Sequence, residues 1–176
     1  DHGPLPPDPH FSTVVAVSHN AGNNIFKPDT LAGPAIEEMA ETGGIDGLNI
    51  EISRMLDFNR AADFATGESF DVPGETTFLL GFNDQHTRVS IVSMIAPSPD
   101  WFVGVRQLNL KANGTWTDFL EVVAVPYDAG TDSGTDFTSP DADTQPKMNV
   151  APLAVGPLVQ GGTIAPLGRF KFTRIQ

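Results

Sequence analysis

The stretch RVSIVSMIAPSPDWFVGVRQLNL, residues 88–110, decides the fold class. Alternating apolar side chains predict one strand over 88–95, and a second apolar strand is expected over 101–110. Pro97 and Pro99 interrupt strand pairing between them, because proline lacks the N–H that a ladder needs. Asp100 therefore lies at the mouth of a loop beside Trp101. Taken alone, this arrangement favours a capped loop with a buried tryptophan.

Short strand patterns continue on both sides of this stretch. Asn113-Gly114 is a strong hairpin signal and separates two of these strands. The pattern predicts further strands over 11–19, 77–82, 119–127, 148–158 and 169–175, and a short one over 46–52. Many short strands divided by turn residues indicate an all-β fold, an antiparallel β-sandwich.

One helix is expected near the start of the chain. Pro34 follows Gly33 at a favourable first helical position, and Ile36, Met39 and Ala40 form an apolar stripe. Gly43-Gly44 ends the helix. A further helical turn is conceivable within 54–65. The helix is read as a single short insertion into the β fold.

The amino-acid composition argues against several classes of function. The chain has 176 residues with 10 basic and 22 acidic side chains, a formal net charge of −12. Such a surface repels nucleic acid and anionic lipid headgroups. Cysteine is absent, which excludes disulfides, thiolate nucleophiles and cysteine-ligated metals. No apolar run approaches the roughly 20 residues of a membrane span. Residues 1–10, rich in proline, are expected to form an extended lead-in.

The segment 126–143 gathers carboxylates. Aspartates recur among glycines, at positions 128, 132, 136, 141 and 143. Crowded carboxylates need a cation or raised pKa values, and all-oxygen ligands suit calcium. The spacing is not that of an EF-hand, because Ser139 stands where the twelfth-position glutamate would be. The alternative is a solvated acidic loop.

Three motifs together resemble a known family. SMIAPSPDWFVG (93–104), NGTW (113–116) and DAGTDSGTDFTSP (128–140) are similar in order and spacing to the spondin domain of F-spondin and mindin. The resemblance runs from residue 11 to the end, so 11–176 is predicted to be the domain. It implies an eight-stranded, C2-like antiparallel β-sandwich that is secreted or extracellular, its signal peptide removed.

The resemblance also implies one structural calcium ion, Ca²⁺. Its carboxylate ligands would be Asp100, Asp128 and Asp132. Asp136 of the same loop is a less supported candidate that the resemblance does not indicate. The implied function is a recognition or adhesion module for an extracellular protein or glycan, not an enzyme. The chain departs from animal spondin domains at 110–112, where Leu-Lys-Ala replaces a cysteine-containing segment. Its cysteine-free pattern is more similar to prokaryotic or stand-alone relatives.

Other hypotheses remain open at this point. A carrier of a small apolar ligand, a lipid or pigment, would use a rim formed by Trp101, Phe102 and Trp116. Asp128 and Asp132 each begin an Asp-x-Gly-Thr sequence similar to the aspartic-protease signature, but so close together that they could form its dyad only in a dimer. Asn113 begins a glycosylation sequon. His19 is interpreted as a structural histidine.

Overall fold

The structure is a computed structural model that describes residues 3–175. Antiparallel strands dominate it. The elements in chain order are β1 (His10–Phe11), β2 (Val14–His19), α1 (Pro34–Thr42), α2 (Asp46–Asp57), β3 (Ala61–Gly67), β4 (Phe70–Asp71), β5 (Arg88–Ala96), β6 (Trp101–Asn109), β7 (Lys111–Ala112), β8 (Thr115–Trp116), β9 (Phe119–Val123), β10 (Val125–Asp128), β11 (Ala151–Pro152) and β12 (Arg169–Thr173).

Eight of these strands form one antiparallel sheet. β5 and β6 are its longest strands, and the path β11-β10-β6-β5 continues from β5 to both β1 and β2. β2 carries β3 on its other side, and β1 carries β4. Two small ribbons, β9–β12 and β7–β8, complete the β structure. The predicted all-β, antiparallel class is therefore confirmed.

One face of the large sheet is covered by the two helices. Val15 and Val17 of β2 lie in the same buried cluster as Val92 of β5 and Phe102 of β6. The helices contribute the residues that close this cluster: Ala35, Ile36, Met39, Ala40, Leu48 and Ile52. Burial of this apolar face provides the main driving force for folding on this side.

The opposite face is covered by the β9–β12 ribbon and by the segment 77–82. Val14 and Ala16 of β2 alternate with the helix-facing residues, as the pleat of a strand requires. They pack with Val89 and Ile91 of β5 against aromatic and aliphatic side chains of the covering layer, namely Phe78, Leu80, Phe82, Leu120, Phe170 and Phe172. The second layer gives the fold its sandwich character.

The first helix matches the prediction. Pro34 occupies the first turn, and Gly33 precedes it in an extended conformation. Gly43 ends the helix with φ +72 and donates its backbone N–H to the Met39 carbonyl. A side chain with a Cβ is strained in this left-handed conformation, so glycine is the residue that suits this position.

A second helix contradicts one prediction and confirms another in part. The expected strand over 46–52 is helical, as part of α2. The helical turn expected within 54–65 is present over 54–57 as the end of α2, whereas 61–65 belongs to the strand β3. Leu48 and Ile52 are spaced by four residues and are the buried side chains of α2. Gly47 lets the two helices approach closely, since a Cβ there would lie 2.9 Å from Ala35 Cα. Within residues 3–175, no helix is long and apolar enough to cross a membrane.

Of two other predicted strands, one does not form and the other pairs over only part of its length. The segment 77–82 alternates in burial but forms no ladder, and Gly81 donates its N–H to the Asp63 carboxylate at 2.6 Å. This side chain takes the donor that a neighbouring strand would need. Within the predicted strand 148–158, only Ala151–Pro152 forms a strand, and Asn149 adds an isolated bridge to Leu31.

Candidate metal centre

Strand pairing brings the first two predicted ligands together. Asp100 immediately precedes β6, and Asp128 is the last residue of β10. β10 pairs with β6 so that Asp128 lies opposite Trp101. The backbone N–H of Ala129 donates to the Asp100 carbonyl at 3.1 Å. The register of one strand pair thus places two distant aspartates side by side.

Asp100 is the most constrained carboxylate of the site. Its side chain is 0% exposed, and its Oδ2 accepts hydrogen bonds from Thr131 N at 2.7 Å and Asp132 N at 3.1 Å. The Thr131 hydroxyl adds a longer bond of 3.3 Å. Its other oxygen, Oδ1, is buried and receives no donor from residues 3–175. Burial, and then the negative charge of Asp128, raises the pKa of Asp100 to about 6.

Asp128 stands beside Asp100 with an incomplete set of partners. Its Oδ1 accepts the Gly130 N–H at 2.8 Å. Burial raises the pKa of Asp128, the Gly130 N–H opposes this effect, and the negative charge of Asp132 adds to it. The charge of Asp132 therefore disfavours ionisation of Asp128, and the charge of Asp128 disfavours ionisation of Asp100.

Asp132 has a different role from the other two in this structure. Its Oδ1 accepts the Gly134 N–H at 2.6 Å, and its Oδ2 accepts the Ala142 N–H at 2.7 Å. Asp132 is 7% exposed. Its carboxylate therefore folds the loop after β10 by holding two separated points of the backbone. Each carboxylate oxygen keeps a second lone pair that can serve an ion.

The three carboxylates are not gathered around one point. In the part of the chain that the structure describes, no three acidic or histidine side chains converge closely enough to enclose a metal. The chemistry of these side chains suits a hard metal ion, because all three offer carboxylate oxygens as ligands. One of these oxygens, the buried Oδ1 of Asp100, receives no hydrogen bond from the described residues.

Asp136, the less supported ligand, lies outside this buried set. It is exposed, and its Oδ1 accepts the adjacent Phe137 N–H at 2.7 Å. This local hydrogen bond shapes the loop without reaching the other carboxylates.

Sequence reasoning missed the residues that hold the loop in place. Thr131 is fully buried and donates twice to Asp100. An ion pair between Lys147 and Glu37 ties the end of the loop to α1. Burial raises the pKa of Glu41, which also feels the charge of Asp132. The packing of α1 against the loop carried no local sequence signal, whereas Thr131 was inside the aspartate motif.

The predicted aromatic rim is wrong for two of its three residues. Trp101 and Phe102 are both 0% exposed, so neither side chain can line a surface. Trp101 packs on Phe137, and Phe102 stacks on Tyr127. Trp116 is half-buried beneath the Lys111 ammonium. The strands β5 and β6 place the first two aromatics inside the sandwich.

An apolar groove does exist elsewhere. It lies between the lead-in and the sheet, with a cavity volume of about 70 Å³. Apolar side chains dominate its lining, including Leu5, Phe11, Ile95, Phe137, Leu158 and Leu167. None of the three predicted rim residues is among those that line it.

The two remaining singled-out residues have clear positions. Asn113 is exposed at the β7–β8 turn with φ +50, accessible for the predicted glycosylation. His19 is fully buried: its Nε2 lies 2.8 Å from Ser90 Oγ and its Nδ1 lies 2.8 Å from the Asn20 carbonyl. These contacts agree with a structural histidine.

Comparison with known proteins identifies the family. The Spondin_N family profile matches residues 2–157. Human Spondin-2 is 32% identical over 146 residues, covering 82% of this chain and 44% of its own length. Rat Spondin-2 is 31% identical over the same coverage. Spondin-1 of Xenopus laevis is 27% identical over 94% of this chain and 22% of its own length. The chain spans less than half the length of these relatives. It belongs to the Spondin_N family.

Proposed function

We propose that this chain is an extracellular recognition module of the spondin type, stabilised by one calcium ion and without catalytic activity. Family membership supports the recognition role. The absence of cysteine leaves the domain without disulfides, so an ion would be its means of fixing loops in an oxidising compartment. Its partner would be an extracellular protein or glycan.

The buried Asp100 carboxylate carries the calcium proposal. Its Oδ1 lies inside the protein with no donor from residues 3–175, beside a second carboxylate whose pKa is also raised. An ionised carboxylate buried in this way is costly unless a cation or hydrogen bond compensates it. Ca²⁺ would be held by Asp100 and Asp128, with Asp132 as the third carboxylate. Carbonyl or water oxygens would complete a shell of six to eight ligands.

Calcium titration tests this proposal directly. Thermal unfolding in CaCl₂ and in EDTA should differ, because an ion that binds only the folded state stabilises it by about 2.7 kcal/mol at a hundredfold excess over Kd. Asp128→Asn should abolish this difference. Asp141→Asn is the matched control, since Asp141 is an exposed aspartate of the same loop. Equal loss in both variants, or no bound calcium by elemental analysis, would disprove the assignment.

A hydrolytic role for the aspartates has little support. The two aspartates of the protease-like sequences are Asp128 and Asp132. Asp132 is 7% exposed and both of its carboxylate oxygens accept backbone N–H groups, which leaves a peptide substrate little access to it. A catalytic role predicts that Asp132→Asn abolishes turnover while leaving stability unchanged. The proposed role predicts a lower melting temperature instead.

The recognition role can be measured with the intact domain. Immobilised protein is exposed to a panel of extracellular matrix proteins and glycans in calcium and again in EDTA. Saturable binding to a member of the panel supports the module. Turnover of a substrate would contradict it.

The apolar-carrier alternative rests on the groove beside the lead-in alone. Its lining is suited to a hydrocarbon ligand, but two of the three predicted rim residues are buried in the core. Native mass spectrometry of the purified protein distinguishes this alternative, since a co-purifying apolar molecule would favour it over the recognition role.

A further inference from the structure

A group of positive charges lies at the end of β6 opposite to Asp100. Five of the ten basic side chains form ion pairs with carboxylates among residues 3–175, namely Lys111, Lys147, Arg169, Lys171 and Arg174. The other five form none within these residues; Lys27, Arg54 and Arg60 are exposed, whereas Arg88 of β5 and Arg106 of β6 are half-buried. Half-buried arginines without a carboxylate partner are unexpected in a chain with a net charge of −12.

Arg106 is incompletely satisfied by the fold. It is half-buried, and its Nε is shielded from solvent without an acceptor among the described residues. Arg88 is also half-buried and donates one hydrogen bond, from Nη1 to the Gln107 carbonyl at 2.9 Å. A buried polar group without a partner costs free energy, and a charged one costs more.

The backbone next to Arg106 is irregular and is held by a side-chain hydrogen bond. The β5–β6 register shifts between Val89 and Ile91, and Gln107 adopts φ +52 in the partner strand. Gln107 also donates from Nε2 to the Asn23 carbonyl at 2.9 Å. Irregularities of this kind re-aim side chains at the rim of a sheet. Here the irregularity fixes the backbone next to Arg106.

The local electrostatic field is positive. Burial lowers the pKa of His19 most, the hydrogen bond with the Asn20 carbonyl opposes this effect, and the charges of Arg88, Arg106 and His86 lower the pKa further. Arg106 also lowers the pKa of Tyr127, whose burial raises it. The cationic notch, defined as Arg88, Arg106 and Gln107, therefore attracts an anion from outside the chain.

We propose that the cationic notch binds a single carboxylate, presented by an aspartate or glutamate of a partner protein. Guanidinium groups match a planar carboxylate with parallel N–H donors, and Arg106 has these donors free of carboxylates within residues 3–175. A polyanion would be repelled by the net charge of −12, whereas a lone carboxylate brings the least repulsion. This inference rests on the proposed recognition role but not on calcium.

A minimal peptide pair tests the notch. Acetyl-Gly-Asp-Gly-amide is titrated into the isotopically labelled domain, with the Asn peptide as its uncharged control, and binding is followed by NMR shifts. The Asp peptide should shift residues around β5 and β6, and the Asn peptide should not. Arg106→Gln should weaken binding by about tenfold, as expected for loss of a charged hydrogen-bonded pair. Arg54→Gln removes the same charge from α2 and should leave binding unchanged.

Stability separates a binding role from a structural one. Arg106→Gln should melt at the wild-type temperature or above it, because the removed charge has no carboxylate partner in the described chain. A lower melting temperature would make Arg106 a structural residue and overturn the proposal. Equal shifts with the Asn peptide, equal weakening by Arg54→Gln, or tighter binding of sulfate than acetate at equal ionic strength would also overturn it. If calcium still raises the melting temperature when any of these results is obtained, the notch proposal fails and the proposed calcium site is unaffected.

Discussion

Replacing Asp100 with asparagine should stabilise the calcium-free protein. The pKa of Asp100 is about 6, against an ordinary value of 3.8. Because folding raises this pKa, the protonated carboxyl is favoured in the folded state. Its stabilising effect is fully present below about pH 4 and is lost as the pH rises through about 6. The difference in pKa corresponds to about 3 kcal/mol of stability lost by pH 7.5.

Asparagine fits the geometry of this position. Its carbonyl oxygen can accept the bonds that Thr131 and Asp132 now donate to Oδ2. Its NH₂ group would occupy the place of Oδ1, which receives no donor from the described residues. The amide is neutral at every pH, so the variant should retain up to about 3 kcal/mol that the wild type loses above pH 6.

Urea denaturation in EDTA and in CaCl₂, at pH 5 and 7.5, measures both effects. In EDTA, the wild type should gain stability towards pH 5 more strongly than Asp100→Asn does. In CaCl₂ at pH 7.5, the wild type should gain stability and the variant should not. A variant less stable than the wild type in EDTA at pH 7.5 would refute the reasoning, because it would mean that the charged carboxylate stabilises the fold without an ion.

Other positions give independent tests. Gly156→Ala should lower the unfolding midpoint, because φ is +98 and a Cβ would lie 2.5 Å from Trp101 Cη2; circular dichroism melting measures the loss. Met39→Ala should cost about 2–5 kcal/mol in urea denaturation, because Met39 is 0% exposed beneath the sheet and its truncation leaves a cavity. Neutral His19 is favoured by folding, since its pKa is lowered. Its contribution is present above about pH 6.5 and lost in acid, so His19→Gln should lose less stability than the wild type between pH 7.5 and 5.5 in EDTA.

The sequence correctly predicted those elements in which the apolar pattern of the side chains agrees with the hydrogen bonding of the backbone. β5 has an alternating sequence, β6 has an apolar one, and the two strands pair in the structure, while the helix over 34–42 has both of its end signals. The segment 77–82 alternates equally well, yet Asp63 takes the Gly81 N–H and no ladder forms. Alternation reports which side chains are buried, and the backbone partner depends on residues far away in the chain. The short apolar spacing of α2 fits a strand or a helix until the packing of Gly47 on α1 decides between them.

The candidate metal centre likewise has features that the sequence predicted and features that it did not. The three aspartates were recognisable because the motifs around them are long, and strand register then brings Asp100 and Asp128 together. The assignment of hydrogen bonds was not predictable: nothing local indicates that Asp132 uses both oxygens to fold its own loop. Trp101 and Phe102 illustrate the opposite error, since an aromatic pair beside a loop is equally compatible with a rim and with the core.

β6 also acts as a rigid spacer. Asp100 immediately precedes this strand and Arg106 lies within it, so about 20 Å of extended backbone separates them at 3.3 Å per residue. β10 pairs with the first four residues of β6, and β5 pairs with β6 on both sides of the register shift, so the backbone from Asp100 to Arg106 is held extended over most of that distance. A partner carboxylate bound at Arg106 would therefore lie far along the sheet from the buried carboxylate of Asp100. At that separation, a partner at the notch would not compete with an ion at Asp100.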